Sequence, residues 1–158
     1  TCMTHLEVKI GAYPFTTLFP NLSYIHFAED DRILVADIPG IIEGAHEDRG
    51  LGFEFLRHIE RSAALIYVID LSGIEERDPL DDFRVLQAEL KAYNPSLLEK
   101  PSLVVLNKMD LDGSATNLDR FREAFPSTPI FPISAINNEG IDTLVQAIRP
   151  LVQTMNLS

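Results

Sequence analysis

The sequence predicts an α/β fold with a mostly parallel sheet, and three observations carry that prediction. Strand-like and helix-like segments alternate along the chain. Two strand-like runs, 65–69 and 102–106, are almost continuously apolar, as strands covered on both faces are. The 158 residues, 46% hydrophobic and 23% charged, suit one globular domain and exclude a disordered chain.

Each element has its own signal. Residues 22–27 and 33–36 are extended in character, and the acidic Glu29-Asp30-Asp31 between them predicts a hairpin turn. Gly-rich sequence at 39–52 follows, then a helix with Phe55, Leu56 and Ile59 on one face. The run 65–69 is the next strand. Asp78 is a good N-cap, Pro79 suits the first helical position, and Asp81 and Asp82 favour the positive end of the helix dipole. Leu80, Phe83, Leu86, Leu90 and Tyr93 recur at helical steps until Asn94-Pro95 stops them. After the strand at 102–106, Leu118, Phe121 and Phe125 mark a helix, and 130–133 is a short strand. Ile141, Leu144, Val145, Ile148, Leu151 and Val152 mark the last helix, which Pro150 is expected to kink or end.

Composition narrows the function classes. Lys and Arg number 13 against 24 Asp and Glu, a net charge of −11. So acidic a chain is a poor nonspecific clamp for a nucleic-acid backbone. The longest apolar run, 63–69, is far short of the ~18 residues needed to span a bilayer. Neither a secretory signal nor a membrane anchor is expected. The single cysteine, Cys2, excludes an internal disulfide framework and fits a reducing compartment. Residue 1 is Thr, not Met, so the start is expected to be a cut.

In folds of this class ligands bind at the carboxyl ends of the strands. The strand at 33–36 runs into Asp37-Ile38-Pro39-Gly40, that at 102–106 into Asn107-Lys108-Met109-Asp110, and that at 130–133 into Ser134-Ala135-Ile136. Upstream lies Pro14-Phe15-Thr16-Thr17-Leu18. An isolated Asn-Lys-x-Asp is as well explained by a turn with a solvated lysine. Four such strings in this order form a strong joint signal.

These strings match the motif series of translation-factor-related GTPases, and the chain resembles the Obg family along almost its whole length. The resemblance is carried further by Tyr13-Pro14-Phe15-Thr16-Thr17-Leu18-Phe19-Pro20-Asn21-Leu22 and Asp37-Ile38-Pro39-Gly40-Ile41-Ile42-Glu43-Gly44-Ala45. Gly50-Leu51-Gly52-Phe53-Glu54-Phe55-Leu56-Arg57-His58-Ile59-Glu60-Arg61 and Asp70-Leu71-Ser72-Gly73 carry it too. The resemblance implies a P-loop NTPase-like three-layer sandwich that binds GTP and GDP with Mg2+. Asp110 then accepts hydrogen bonds from guanine N1–H and the 2-amino group, a donor pair that adenine lacks. Asn107 meets the other edge of the base, the Lys108 stem lies along the ring, and the backbone around Ser134, Ala135 and Ile136 meets the guanine carbonyl. Asp37 holds magnesium. Gly40, after Pro39, lets backbone N–H approach the terminal phosphate. Thr17, with Thr16 as the alternative, reaches magnesium in the triphosphate state, and loss of the Thr17 and Gly40 contacts after hydrolysis releases both loops. The family further implies a cytoplasmic protein that works with the large ribosomal subunit in its assembly or in growth and stress control.

Two departures bear on mechanism. Ile41 stands where many related GTPases carry the Gln that orients the attacking water, so slow intrinsic turnover is expected. A backbone group, a monovalent cation, Glu43 or a partner must then assist. Second, no Gly-x-x-x-x-Gly-Lys-Ser/Thr occurs in the chain. The expectation is therefore an N-terminally truncated G domain over 1–158, without the central first strand and phosphate loop, and a poor GTP hydrolase as it stands.

Blander readings cover most other features. Gly50-Leu51-Gly52 lacks a third Gly at dinucleotide spacing and is better explained as a mobile switch loop. The histidines, His5, His26, His46 and His58, have no metal-ligand spacing, and only His46, in the Gly-rich stretch, is weighed as a partner contact. The acidic cluster at 78–82 is helix capping. Two other functions stay open beside the switch. One is a non-hydrolysing module that binds guanine nucleotide or protein, against which Thr17, Asp37, Gly40 and Asp110 weigh. The other is an unrelated doubly wound receiver-like domain, which leaves Asn107-Lys108-x-Asp110 unexplained.

Overall fold

In a computed structural model the described residues are 21–28, 31–38 and 51–153. Two strands, β1 (Asn21–Ala28) and β2 (Asp31–Asp37), pair antiparallel. The predicted hairpin is therefore present, with Asp31 already in the second strand and Glu29-Asp30 outside the described residues. β3 (Leu65–Asp70), β4 (Ser102–Asn107) and β5 (Ile130–Pro132) form a second, all-parallel sheet in the order β3-β4-β5. Helices α1 (Leu51–Arg61), α2 (Pro79–Tyr93), α3 (Ser114–Ala124) and α4 (Ile141–Gln153) alternate with the strands.

β4 shows why the layers form. Its residues alternate between two cores and are buried toward both. Val104 and Leu106 join Tyr67 and Ile69 of β3 against Leu56 and Ile59 of α1, Phe83 and Leu90 of α2, and Leu118 and Phe121 of α3. Leu103 and Val105 face the other way, onto Ile141, Leu144 and Ile148 of α4, together with Ile25 of β1. The first core is partly aromatic. Phe83 stands edge-on to Tyr67 and Phe125 with ring centroids 5.3 and 4.9 Å apart, a favoured geometry for aromatic pairs.

The helix signals of α2 are realised. The Asp78 side chain accepts from Leu80 N at 2.9 Å, Pro79 sits in the first turn, and Asn94 closes the helix. The Asn94 side chain then accepts from Ser96 N at 3.1 Å and starts a short 3-10 turn, Pro95–Glu99. Lys100 donates to the carbonyls of Glu60 and Ser62 at 3.1 and 2.6 Å, placing a cation at the C-terminal end of α1, where the helix dipole favours one.

Three expectations are corrected. Cover on both faces fails at β3: Val68 is 62% exposed, because β3 is the edge of its sheet among the described residues and only Ile66 on that face reaches the second core. Leu51 and Gly52, expected in a loop, lie in the first turn of α1. Of the kink or end expected at Pro150, the end does not occur: α4 continues through it to Gln153, so the one hydrogen bond that a proline removes does not stop this helix.

Candidate functional site

β3, β4 and β5 deliver their C-terminal ends side by side, and Asp70 pairs in register with Asn107. The chain leaves β4 through Lys108, whose φ of +71° is uncommon for a residue with a side chain. Neighbours hold it there. The Lys108 carbonyl accepts from Leu111 N at 3.1 Å and from the hydroxyl of the buried Ser114 at 2.7 Å. Met109 N donates to the Ile133 carbonyl at 3.1 Å, tying this loop to the end of β5.

Two side-chain bonds complete the tie. Ser134 Oγ donates to Asp110 Oδ1 at 2.6 Å, and Ala135 N donates to Asn107 Oδ1 at 3.1 Å. Ser134 is fully buried, and its hydroxyl also accepts from Asn137 N at 3.3 Å. Backbone bonds in both directions between Ser134 and Glu139, at 3.1 and 3.0 Å, close the 135–138 loop. Gly140 follows with φ +73°, and a Cβ there would lie 2.7 Å from the Pro132 carbonyl, so the loop needs a glycine to return to α4.

Asn107, Lys108, Asp110, Leu111, Ala135 and Ile136 line a cleft of about 330 Å³. Ile136 is 83% exposed at this cleft. Because Asn107 Oδ1 is used by Ala135, its amide donors are the part left to meet a ligand acceptor. A carboxylate, an amide and an aliphatic stem ending in an ammonium thus surround a small cleft with apolar walls. That set suits a flat heterocycle with adjacent N–H donors on one edge and an acceptor on another.

The structure brings together six of the predicted site residues: Asn107, Lys108, Asp110, Ser134, Ala135 and Ile136. Asp37, exposed at the end of β2 in the other sheet, does not line this cleft. Thr16, Thr17, Pro39, Gly40, Ile41, Glu43 and His46 lie outside the described residues. Among the described residues no cluster of three or more His, Cys, Asp or Glu is placed to hold a metal ion. No helix among them is long and apolar enough to cross a membrane.

Sequence reasoning assigned no role to Asp70, Ser72 or Ser114. Asp70 Oδ2 lies 2.5 Å from Lys108 Nζ, and Oδ1 accepts from Ser72 N at 2.9 Å and Ser72 Oγ at 2.6 Å. Burial pushes the Asp70 carboxyl up, but the bonds from Lys108 and Ser72 outweigh it and hold the group below the ordinary carboxylate value. The available signals were position, since Asp70 ends β3 as Asn107 ends β4, and the Asp70-Leu71-Ser72-Gly73 string that carries the family resemblance.

Residues 1–108 match the family model described as 50S ribosome-binding GTPase. The chain is 54% identical over 143 residues to the GTPase Obg of Protochlamydia amoebophila, covering 89% of this chain and 42% of that protein. It is 51% identical over 150 residues to the GTPase Obg of Akkermansia muciniphila, covering 95% and 43%. The chain thus spans less than half the length of these relatives. The fold is similar to the cytosolic domain of FeoB from L. pneumophila, with a TM-score of 0.62 at 21% identity, over 95% of this chain and 60% of that one.

Proposed function

The chain belongs to the 50S ribosome-binding GTPase family, in its Obg branch, and from that premise we propose that it is the guanine-binding part of a GTP-hydrolysing switch. The observation that carries the reading is the double tie of Asp110 to Ser134 and of Asn107 to Ala135 around one cleft. A base-reading carboxylate must be held in place, because an acceptor free to rotate discriminates poorly between ligands. Held there, Asp110 accepts from N1–H and the 2-amino group of guanine, Asn107 donates to the opposite edge, and the 135–136 backbone meets the carbonyl.

Asp37 is a suitable oxygen donor for magnesium, with Thr17 as its partner in the triphosphate state and Gly40 at the terminal phosphate. Magnesium supplies charge neutralisation at the phosphates when bound. Ile41 has no side-chain amide to orient an attacking water, so turnover is slow without help from a backbone group, a monovalent cation, Glu43 or a partner. The described residues form part of an Obg-type G domain that acts in the cytoplasm on the large ribosomal subunit. With a net charge of −11 it engages a defined ribosomal surface and does not clamp RNA nonspecifically.

Calorimetric titration of the intact protein with GDP, ADP and XDP tests this reading. The wild type should prefer GDP to ADP by roughly 100-fold or more, as sites built to pair with polar groups do. Asp110→Asn replaces an acceptor with a donor, so it should lose at least about tenfold for GDP and gain affinity for XDP, whose base carries a carbonyl there. Equal affinity of the wild type for GDP and ADP overturns the reading.

A further inference from the structure

The Lys108 side chain is a cleft wall, and a lysine stem is a poor wall unless its end is tied. A solvated lysine spreads over many rotamers, and ordering it costs side-chain entropy. Lys108 starts from a fixed backbone, pinned at φ +71° by Leu111 and Ser114. Its far end meets the Asp70 carboxylate at 2.5 Å. That carboxylate is itself braced, since Ser72 donates to its other oxygen from both backbone and hydroxyl. Ser72 is buried, so the brace is set by the fold and not by solvent. Both ends of the lysine are thereby tied, on two adjacent strand ends whose register is set by the sheet.

We infer that Asp70, braced by Ser72, is a positioning residue for nucleotide binding, which holds the Lys108 stem along one side of the base cleft. The inference rests on the guanine-binding reading above. Asp70 lies outside the residues lining the cleft and acts through Lys108. The side chains of the pair are 45% and 42% exposed, so the tie is partly screened by water and its effect on affinity is moderate.

A double-mutant cycle on the intact protein separates this role from a structural one, read as GDP affinity by calorimetry. Asp70→Asn keeps the shape and removes the charge, and should weaken GDP binding about three- to fivefold. Lys108→Met keeps an aliphatic stem without an ammonium. In that background Asp70→Asn should change affinity by less than about twofold, because the two residues act as one unit. If Asp70→Asn fails to fold, Ser72→Ala takes its place, with a weakening of about two- to threefold and the same null beside Lys108→Met. An unchanged GDP affinity in the single variant overturns the inference. So does an equal loss in both backgrounds, which makes Asp70 independent of Lys108. Either result leaves the guanine reading standing if the wild type still prefers GDP to ADP, whereas loss of that preference removes both.

Discussion

Ser134 does two jobs with one oxygen. Its hydroxyl proton goes to Asp110, and its lone pair receives Asn137 N. Ser134→Ala removes both bonds made by a fully buried hydroxyl, whose partners Asp110 and Asn137 are themselves exposed. The expected cost is about 1–2 kcal/mol of stability. Asp110 would also lose its anchor, so GDP affinity should fall roughly five- to tenfold, while Ala135 N still holds Asn107. Denaturant unfolding and nucleotide titration on the same sample check both; a stability loss with no affinity loss would mean that Asp110 does not need Ser134 as its support. The grouping of Asn107, Asp110 and Ser134 was legible in the sequence because each follows an apolar strand and their strings together resemble the Obg motif series. Asp70 has the same position and its Asp70-Leu71-Ser72-Gly73 string carries the resemblance, but the sequence assigned it no role. Nothing local to Asp70-Leu71-Ser72 says that its partner is a lysine on the next strand, since that contact depends on the register between β3 and β4.

Helix α2 was read from sequence almost residue by residue because its signals are local: cap, proline, first-turn acids, periodicity and stop. One correction came where tertiary packing outweighs local preference. Gly52 is a poor helix former, yet it sits in α1, whose Leu56 and Ile59 are buried in the core. The Asp78 cap is also a charge site. The hydrogen bond from Arg120 at 2.6 Å and that from Leu80 N hold its carboxyl below the usual carboxylate range. A folded-state pKa lower than the unfolded one stabilises the fold above the unfolded value, near pH 4, and that stabilisation is lost as pH falls through the folded value. Asp78→Ala should cost about 1 kcal/mol at neutral pH. Asp78→Asn keeps a capping oxygen and removes the titration. Thermal unfolding at pH 7, 5 and 3 should show the gap between wild type and Asp78→Asn narrowing only between pH 5 and 3. A gap that stays constant to pH 3 would show that the Arg120 contact contributes nothing through charge.

At the scale of the whole molecule, the two sheets are joined by a helix. Ile25 of β1 and Leu103 and Val105 of β4 share one buried cluster with Ile141, Leu144 and Ile148 of α4, and Ile33 and Val35 of β2 pack at its margin. Arg149 of α4 also lies over the Phe27 ring, with its guanidinium 5.5 Å from the ring centroid, and pairs with Asp31 at the hairpin. The apolar period of α4 was legible, but its role as the bridge was not. Periodicity tells which face is buried and leaves open which strands the face will meet. The bridge matters to the proposed switch, because β2 carries Asp37 while β4 leads into the loop proposed to read the base. Leu144 is fully buried at the centre of this contact. Leu144→Ala should therefore destabilise the intact protein by about 2–5 kcal/mol, the range for a leucine lost from a packed core. Because α4 touches both sheets, amide exchange in β1, β2 and β4 should accelerate together, as in one cooperative unit. Hydrogen exchange resolved by segment reads this directly. If β4 keeps its protection while β1 and β2 lose theirs, the hairpin is a separate unit, and α4 does not couple the Asp37 strand to the base site.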